Sequence, residues 1–191
     1  SILLQKTLKI PFVSFGENLF NDSAVAIPTE LEPSIPSETI STALSNGWAW
    51  KIPLTNRYGN GYVYSSHYLS KEAAETELRS HLGILGRDVE ARHLKMRVGR
   101  TEESWSKNCL AVGLSQGFIE PLEATALQFV YSTVDEFAKA LEEGSFTNQY
   151  REEFNNRMNK LGSNSANAVW QLSIDYLSKN KIRTSFNLLY D

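Results

Sequence analysis

The 191-residue sequence holds one cysteine, Cys109, so no internal disulfide can form. No apolar run approaches the roughly 20 residues that a membrane-crossing helix requires. The opening SILLQKTLKI lacks the basic, apolar, then small-residue order of a signal peptide. Neither sign of charge dominates: 19 Lys and Arg face 22 Asp and Glu, a net charge of −3 with no long block of either sign. That balance excludes the basic footprint of a nucleic-acid binder and the polybasic anchor of a membrane-surface protein. The three histidines, His67, His81 and His93, show no i, i+4 spacing, so no zinc helix and no metal site are expected. No G-x-G-x-x-G dinucleotide fingerprint occurs. What remains is a chain suited to a reducing, cytoplasmic compartment, with small molecules or proteins as partners. Without an initiator Met, it reads as an internal piece of something longer.

The first half has strand character. DSAVAIP (22–28), ETISTALS (38–45), GWAWKIPL (47–54), GYVYSSHY (61–68), HLKMRVG (93–99) and WSKNCLAVG (105–113) are separated by turn residues such as Asn46-Gly47 and NRYGNG. They predict an antiparallel meander. In GWAWKIP the period of two puts Trp48, Trp50 and Ile52 on one face and Ala49 and Lys51 on the other, and Pro53 closes the strand. One helix interrupts the sheet at about 70–82, with Ser70 as N-cap and Ala74, Leu78 and Leu82 at spacing four. From Pro121 the period becomes helical through Leu122, Ala126, Phe129, Val130, Thr133, Phe137 and Leu141, stopping before Gly144. Two more helices are expected, YREEFNNRMNKL and ANAVWQLSIDYLSKN, separated by a break at GSNS (162–165). Strands followed by helices predict an α+β fold.

GLSQG (113–117) matches the nucleophile elbow of hydrolases, but that chemistry needs a histidine after the serine, and all three precede Ser115. IEPLEATAL (119–127) is more informative. Pro121, Glu120 and Glu123 suit a helix start, where capping alone explains them. The same start leaves backbone N–H groups near Thr125 and Ala126 free to hold a small anion, with the Glu123 carboxylate alongside to handle a proton. Trp48 and Trp50 serve either as core or as the wall of a cavity for a flat cofactor. Cys109 reads as a small buried hydrophobe.

Taken in order, four motifs resemble the flavin-dependent tryptophan halogenases: Trp48-x-Trp50-x-Ile52-Pro53; the hairpin ending GYVYSS; Arg97 to Arg100 with Trp105, Asn108 and Cys109; and the run from Gly113 through Thr125. The resemblance runs from about residue 20 to about 160. It implies part of a two-domain, flavin-monooxygenase-like FAD fold with an antiparallel substrate-domain sheet followed by helices. Residues 1–118 would then belong to the substrate-binding sheet region, residues 119–191 to the halide-site helix and C-terminal helices, and the FAD-binding segment would lie outside the chain. It implies that reduced FAD, delivered by a separate flavin reductase, turns oxygen and chloride or bromide into hypohalous acid that reaches an electron-rich, tryptophan-like or indole-like substrate. By residue, it implies a catalytic role for Glu123, halide binding by the backbone at Thr125 and Ala126, flavin contact at Leu114 and Leu127, and a tunnel or flavin-facing wall at Trp48, Trp50, Ile52 and Pro53. Ala126 stands where the family commonly has Gly, and Ala124 where many tryptophan-specific members have Ser. Lys51 alternates away from the tryptophan face and is no substitute for the family's essential lysine. A flavin hydroxylase on the same framework and a non-catalytic binding module derived from it are the alternatives, and a homodimer stays open.

Overall fold

In the computed structural model, residues 2–120 and 125–180 are described, with the backbone alone for Thr125 and for residues 170–180. The strands are β1 (Phe12–Ser14), β2 (Ser23–Thr29), β3 (Ile40–Leu44), β4 (Gly47–Pro53), β5 (Tyr58–Tyr64), β6 (Arg92–Lys95), β7 (Gly99–Thr101), β8 (Trp105–Ser106), β9 (Cys109–Leu110) and β10 (Gly117–Phe118). The helices are α1 (Lys71–His81), α2 (Thr125–Glu143) and α3 (Arg151–Asn180). They divide between two compact units, one of residues 20–96 and 173–191, the other of residues 1–19 and 97–172.

The first unit is a five-stranded antiparallel sheet in the order β3-β4-β5-β2-β6. The expected meander is its β3-β4-β5 half, and β2 pairs along the whole of β5. The sequence NRYGNG, which reads as a turn, is half strand: Gly59 and Gly61 pair with Ile52 and Trp50. The reason is steric. The Trp50 indole packs against Gly61, and a Cβ there would collide with its Cζ2. Helix α1 starts as expected, with the Ser70 hydroxyl accepting from the Ala73 N–H. It lays Ala74 and Leu78 on the face of Val25, Ile27, Ala49 and Tyr62, all buried. Polar ties hold the rim. The buried Tyr62 hydroxyl donates to Glu77 and accepts from the Asn46 N–H, both at 3.0 Å, and burial first, then Glu77, pushes that phenol well above its usual range. Asp22 accepts from Ser66 and Lys95. Burial raises its carboxyl, but Lys95, Ser66 and Ser23 outweigh that and hold it at about 2.

The second unit has less sheet and more helix. Strands β1, β7 and β10 form one small antiparallel sheet, and β8 and β9 a hairpin. Thus HLKMRVG and WSKNCLAVG are each two strands rather than one, the second turning at Lys107, whose φ is +53°. Cys109 is only half-buried in that hairpin, a correction to its reading as a core residue, because β9 has a single neighbouring strand to cover it. One cluster forms around Trp105, edge-on to Phe137 at 4.8 Å and Phe154 at 5.8 Å. The expected break at GSNS does not occur. Helix α3 runs through Gly162, where a Cβ would lie 3.1 Å from Arg100 Cδ; close packing there offsets the glycine's weak helix propensity. Helix α2 stops before Gly144 as predicted, while its expected start at Pro121 lies outside the described residues. No helix among the described residues is long and apolar enough to cross a membrane.

Candidate active site

The GLSQG segment is a tight turn whose Gly113 sits at φ +63°, a left-handed conformation that glycine adopts without strain. The Ser115 hydroxyl donates to the Val112 carbonyl at 2.8 Å and accepts from the Val112 N–H at 3.0 Å. It is spent on its own turn, which accounts for the serine without any nucleophile. The turn pushes Leu114 outward, 81% exposed. The chain then re-enters the small sheet, with Gly117 and Phe118 paired to Arg100 and Gly99. Glycine is required on both strands. A Cβ on Gly99, at φ +142°, would strike the Val13 carbonyl, and one on Gly117 would meet Arg100 Cα at 2.8 Å.

Helix α2 begins at Thr125, and its first four N–H groups have no acceptor within the helix. Ala126 is exposed and Leu127 is 66% exposed. Between this helix start and the turn lies a cavity of about 240 Å³. Phe15, Gly99 and Arg100 of β7, Gly113 and Leu114, strand β10 with Ile119 after it, the Ala126–Val130 turn of α2 and Gly162 of α3 form its walls. Among the described residues, Arg100 is its one charged lining residue. Its guanidinium donates to Asn159 Oδ1 and to the Thr101 carbonyl, and burial lowers its pKa against the opposing pull of Glu102. An apolar chamber with one fixed cation and the positive end of a helix favours a flat apolar group together with a small anion.

Residues 1–183 match the family described as tryptophan halogenase. The chain belongs to that family. Tryptophan 6-halogenase SttH of Streptomyces toxytricini is 46% identical over 157 residues, which are 81% of this chain and 30% of that protein. The 7-chloro-L-tryptophan 6-halogenase KtzR of a Kutzneria species is 45% identical, again over 81% of this chain and 30% of the relative. The crystal structure of SttH superposes with a TM-score of 0.82 at 41% identity, covering 96% of this chain and 36% of that one. The chain thus spans about a third of the length of the relatives it matches. Its α+β architecture is part of the flavin-dependent halogenase fold.

Of the residues that the halogenase motifs single out, Leu114, Ala126 and Leu127 come together in one cavity, although 12 positions separate the first from the second. Thr125 opens the same helix, with its side chain outside the described residues, as is the whole of Glu123. Trp48, Trp50, Ile52 and Pro53 belong to β4 in the other unit. There the two indoles lie on the sheet face opposite α1, half-buried, with ring centroids 6.0 Å apart. Their cross-strand neighbours are small: Val63 beside Trp48, Gly61 beside Trp50 and Gly59 beside Ile52. Lys51 faces away, ion-paired with Glu32 at 2.8 Å and lying over the Tyr58 ring. Sequence reasoning missed Phe15 and Gly162 as lining residues, since neither carries a local signal. It had Phe129 and Val130 on the helical stripe and Arg100 and Phe118 inside motifs, but with no role attached.

Proposed function

We propose that this chain is part of a flavin-dependent halogenase that uses reduced FAD, oxygen and halide to halogenate an electron-rich, tryptophan-like aromatic in the cytoplasm, with a separate flavin reductase as electron donor. The observation that carries the reading is the single cavity shared by Leu114, Ala126 and Leu127 at the start of α2. Its residues suit the flavin ring and a halide, though not the phosphates of FAD, for which this sequence has no glycine-rich cradle. When bound, reduced FAD supplies the electrons with which oxygen converts halide into an electrophilic oxidant. The chain's own part is to hold and screen. The free N–H groups at Thr125 and Ala126 hold the halide, favoured by the helix dipole. Leu114 and Leu127, costly to leave in water, bury against the ring and exclude solvent. Glu123 orients the substrate N–H and takes charge of the proton released from the reacting carbon. Trp48 and Trp50 take the tunnel- or flavin-facing role that the halogenase motif implies.

The full-length protein, supplied with FAD, a flavin reductase and tryptophan or indole, should yield a product whose mass follows the halide, chloride or bromide. A hydroxylated product indifferent to halide would indicate the monooxygenase instead. Glu123→Gln should lower halogenation by about 100-fold while FAD stays bound; loss of flavin in that variant would remove the role given to Glu123.

A further inference from the structure

Behind the cavity runs a buried polar chain that no motif announced. Thr133 of α2 is fully buried; its hydroxyl donates its one proton to the Phe129 carbonyl at 2.7 Å and lies 3.2 Å from the Gln116 side-chain amide. Gln116 is 1% exposed, and the other end of its amide lies 2.8 Å from Ser104 Oγ. The Ser104 and Trp105 N–H groups donate to Asn155 Oδ1 of α3, each at 2.9 Å, and Asn155 Nδ2 returns to the Trp105 carbonyl at 2.8 Å. Because the Thr133 proton goes to Phe129, the bond between the two side chains is made with the Gln116 amide turned so that Nε2 donates to Thr133 Oγ1 and Oε1 accepts from the Ser104 hydroxyl.

Neither Gln116 nor Thr133 reaches the cavity, yet each sits within one wall of it. Leu114, Gly117 and Phe118 flank the glutamine, and Phe129 and Val130 precede the threonine. Apolar contacts alone let a helix rotate or slide by small amounts, whereas a buried amide bonded at both its nitrogen and its oxygen favours one register. The first turn of α2 lies about 12 Å up the helix from Thr133, so a tilt of roughly 5° there moves its N–H donors by about 1 Å. Displacements of that size are what positioned sites cannot tolerate.

We infer that Gln116 and Thr133 are positioning residues, whose mutual hydrogen bond holds the start of α2 at the distance from the Gly113–Phe118 turn that halide binding requires. The inference rests on the halide site proposed above.

Its test uses the full-length protein, crystals soaked in bromide and read by anomalous scattering, and turnover titrated with bromide. Thr133→Val keeps shape and loses the hydroxyl. It should raise the half-saturating bromide concentration about tenfold and empty the anomalous peak at Thr125–Ala126, with the aromatic KM and FAD content unchanged within twofold. Thr133→Ser should restore both readings. If Thr133→Val does not fold, Gln116→Met takes its place with the same expectation. Equal peaks and equal bromide dependence in wild type and variant would overturn the positioning role while leaving the halide site standing. No peak at Thr125–Ala126 in wild type would overturn the halide site and the positioning role with it. A uniform loss of aromatic, flavin and bromide affinity would mark the bond as merely structural.

Discussion

The five-stranded unit and the helical unit each seal an apolar core, and they differ in what lies around it. In the first, Val25, Ile27, Tyr62 and Leu78 are all sealed between sheet and helix, and the polar ties, Tyr62 to Glu77 and Asp22 to Lys95, sit at the rim. In the second, Leu114 and Leu127 are left outside around a cavity, while Gln116, Thr133 and Asn155 are taken inside. Burying an amide costs free energy unless every group is bonded, and exposing a leucine forgoes what its burial would contribute.

The largest expected effect would break the first half of that comparison. Leu78→Ala empties a fully packed position and should cost about 3 kcal/mol, lowering the melting temperature by roughly 6–12 °C. A change of under a degree would mean that α1 is not the lid of that core. Next, Gly61→Ala places a methyl where the Trp50 ring lies. Overpacking should cost about 2 kcal/mol and shift tryptophan emission to the red as the indole is displaced; an unaltered spectrum would show that the ring does not depend on the glycine. Leu127→Asp sharpens the contrast from the other side. An exposed leucine carries little stability, within about 0.5 kcal/mol, but the full-length protein should bind FAD about tenfold more weakly. The reverse outcome, a melting shift without a flavin effect, would make Leu127 an ordinary packing residue.

The smallest effect concerns the rim. The Asp22 carboxyl is held at about 2 in the folded chain against 3.8 ordinarily, a depressed value. Its contribution is therefore complete above pH of about 4 and is lost as pH falls through about 2. Because the group is partly in water, this amounts to about 1 kcal/mol after allowance for solvent screening. Melting temperature should fall with acid over that window in wild type and less steeply in Asp22→Asn; parallel curves would show that the Lys95 pair adds nothing.

Much of this was legible in the residues. Alternation located β2, β3 and β4, Ser70 announced α1, and the Gly113–Leu127 stretch carried both the family motif and the three expected site residues Leu114, Ala126 and Leu127 of one cavity. Two of the misreadings share a cause: glycine, whose local meaning is a turn or a stop, was used here for close approach. Gly61 continues a strand against Trp50 and Gly162 continues a helix beside Arg100, neighbours 11 and 62 positions away.

The sequence by itself determined the strand and helix periods, the α+β class and the family, because each is written in spacings of a few residues or in motifs read in order. Tertiary structure alone decided that residues 1–19 join residues 97–172, that Phe15 and Gly162 wall the same cavity as Leu114, and that Thr133 reaches Gln116. Such pairings arise where packed surfaces meet, and nothing in the local chemistry of either partner names the other.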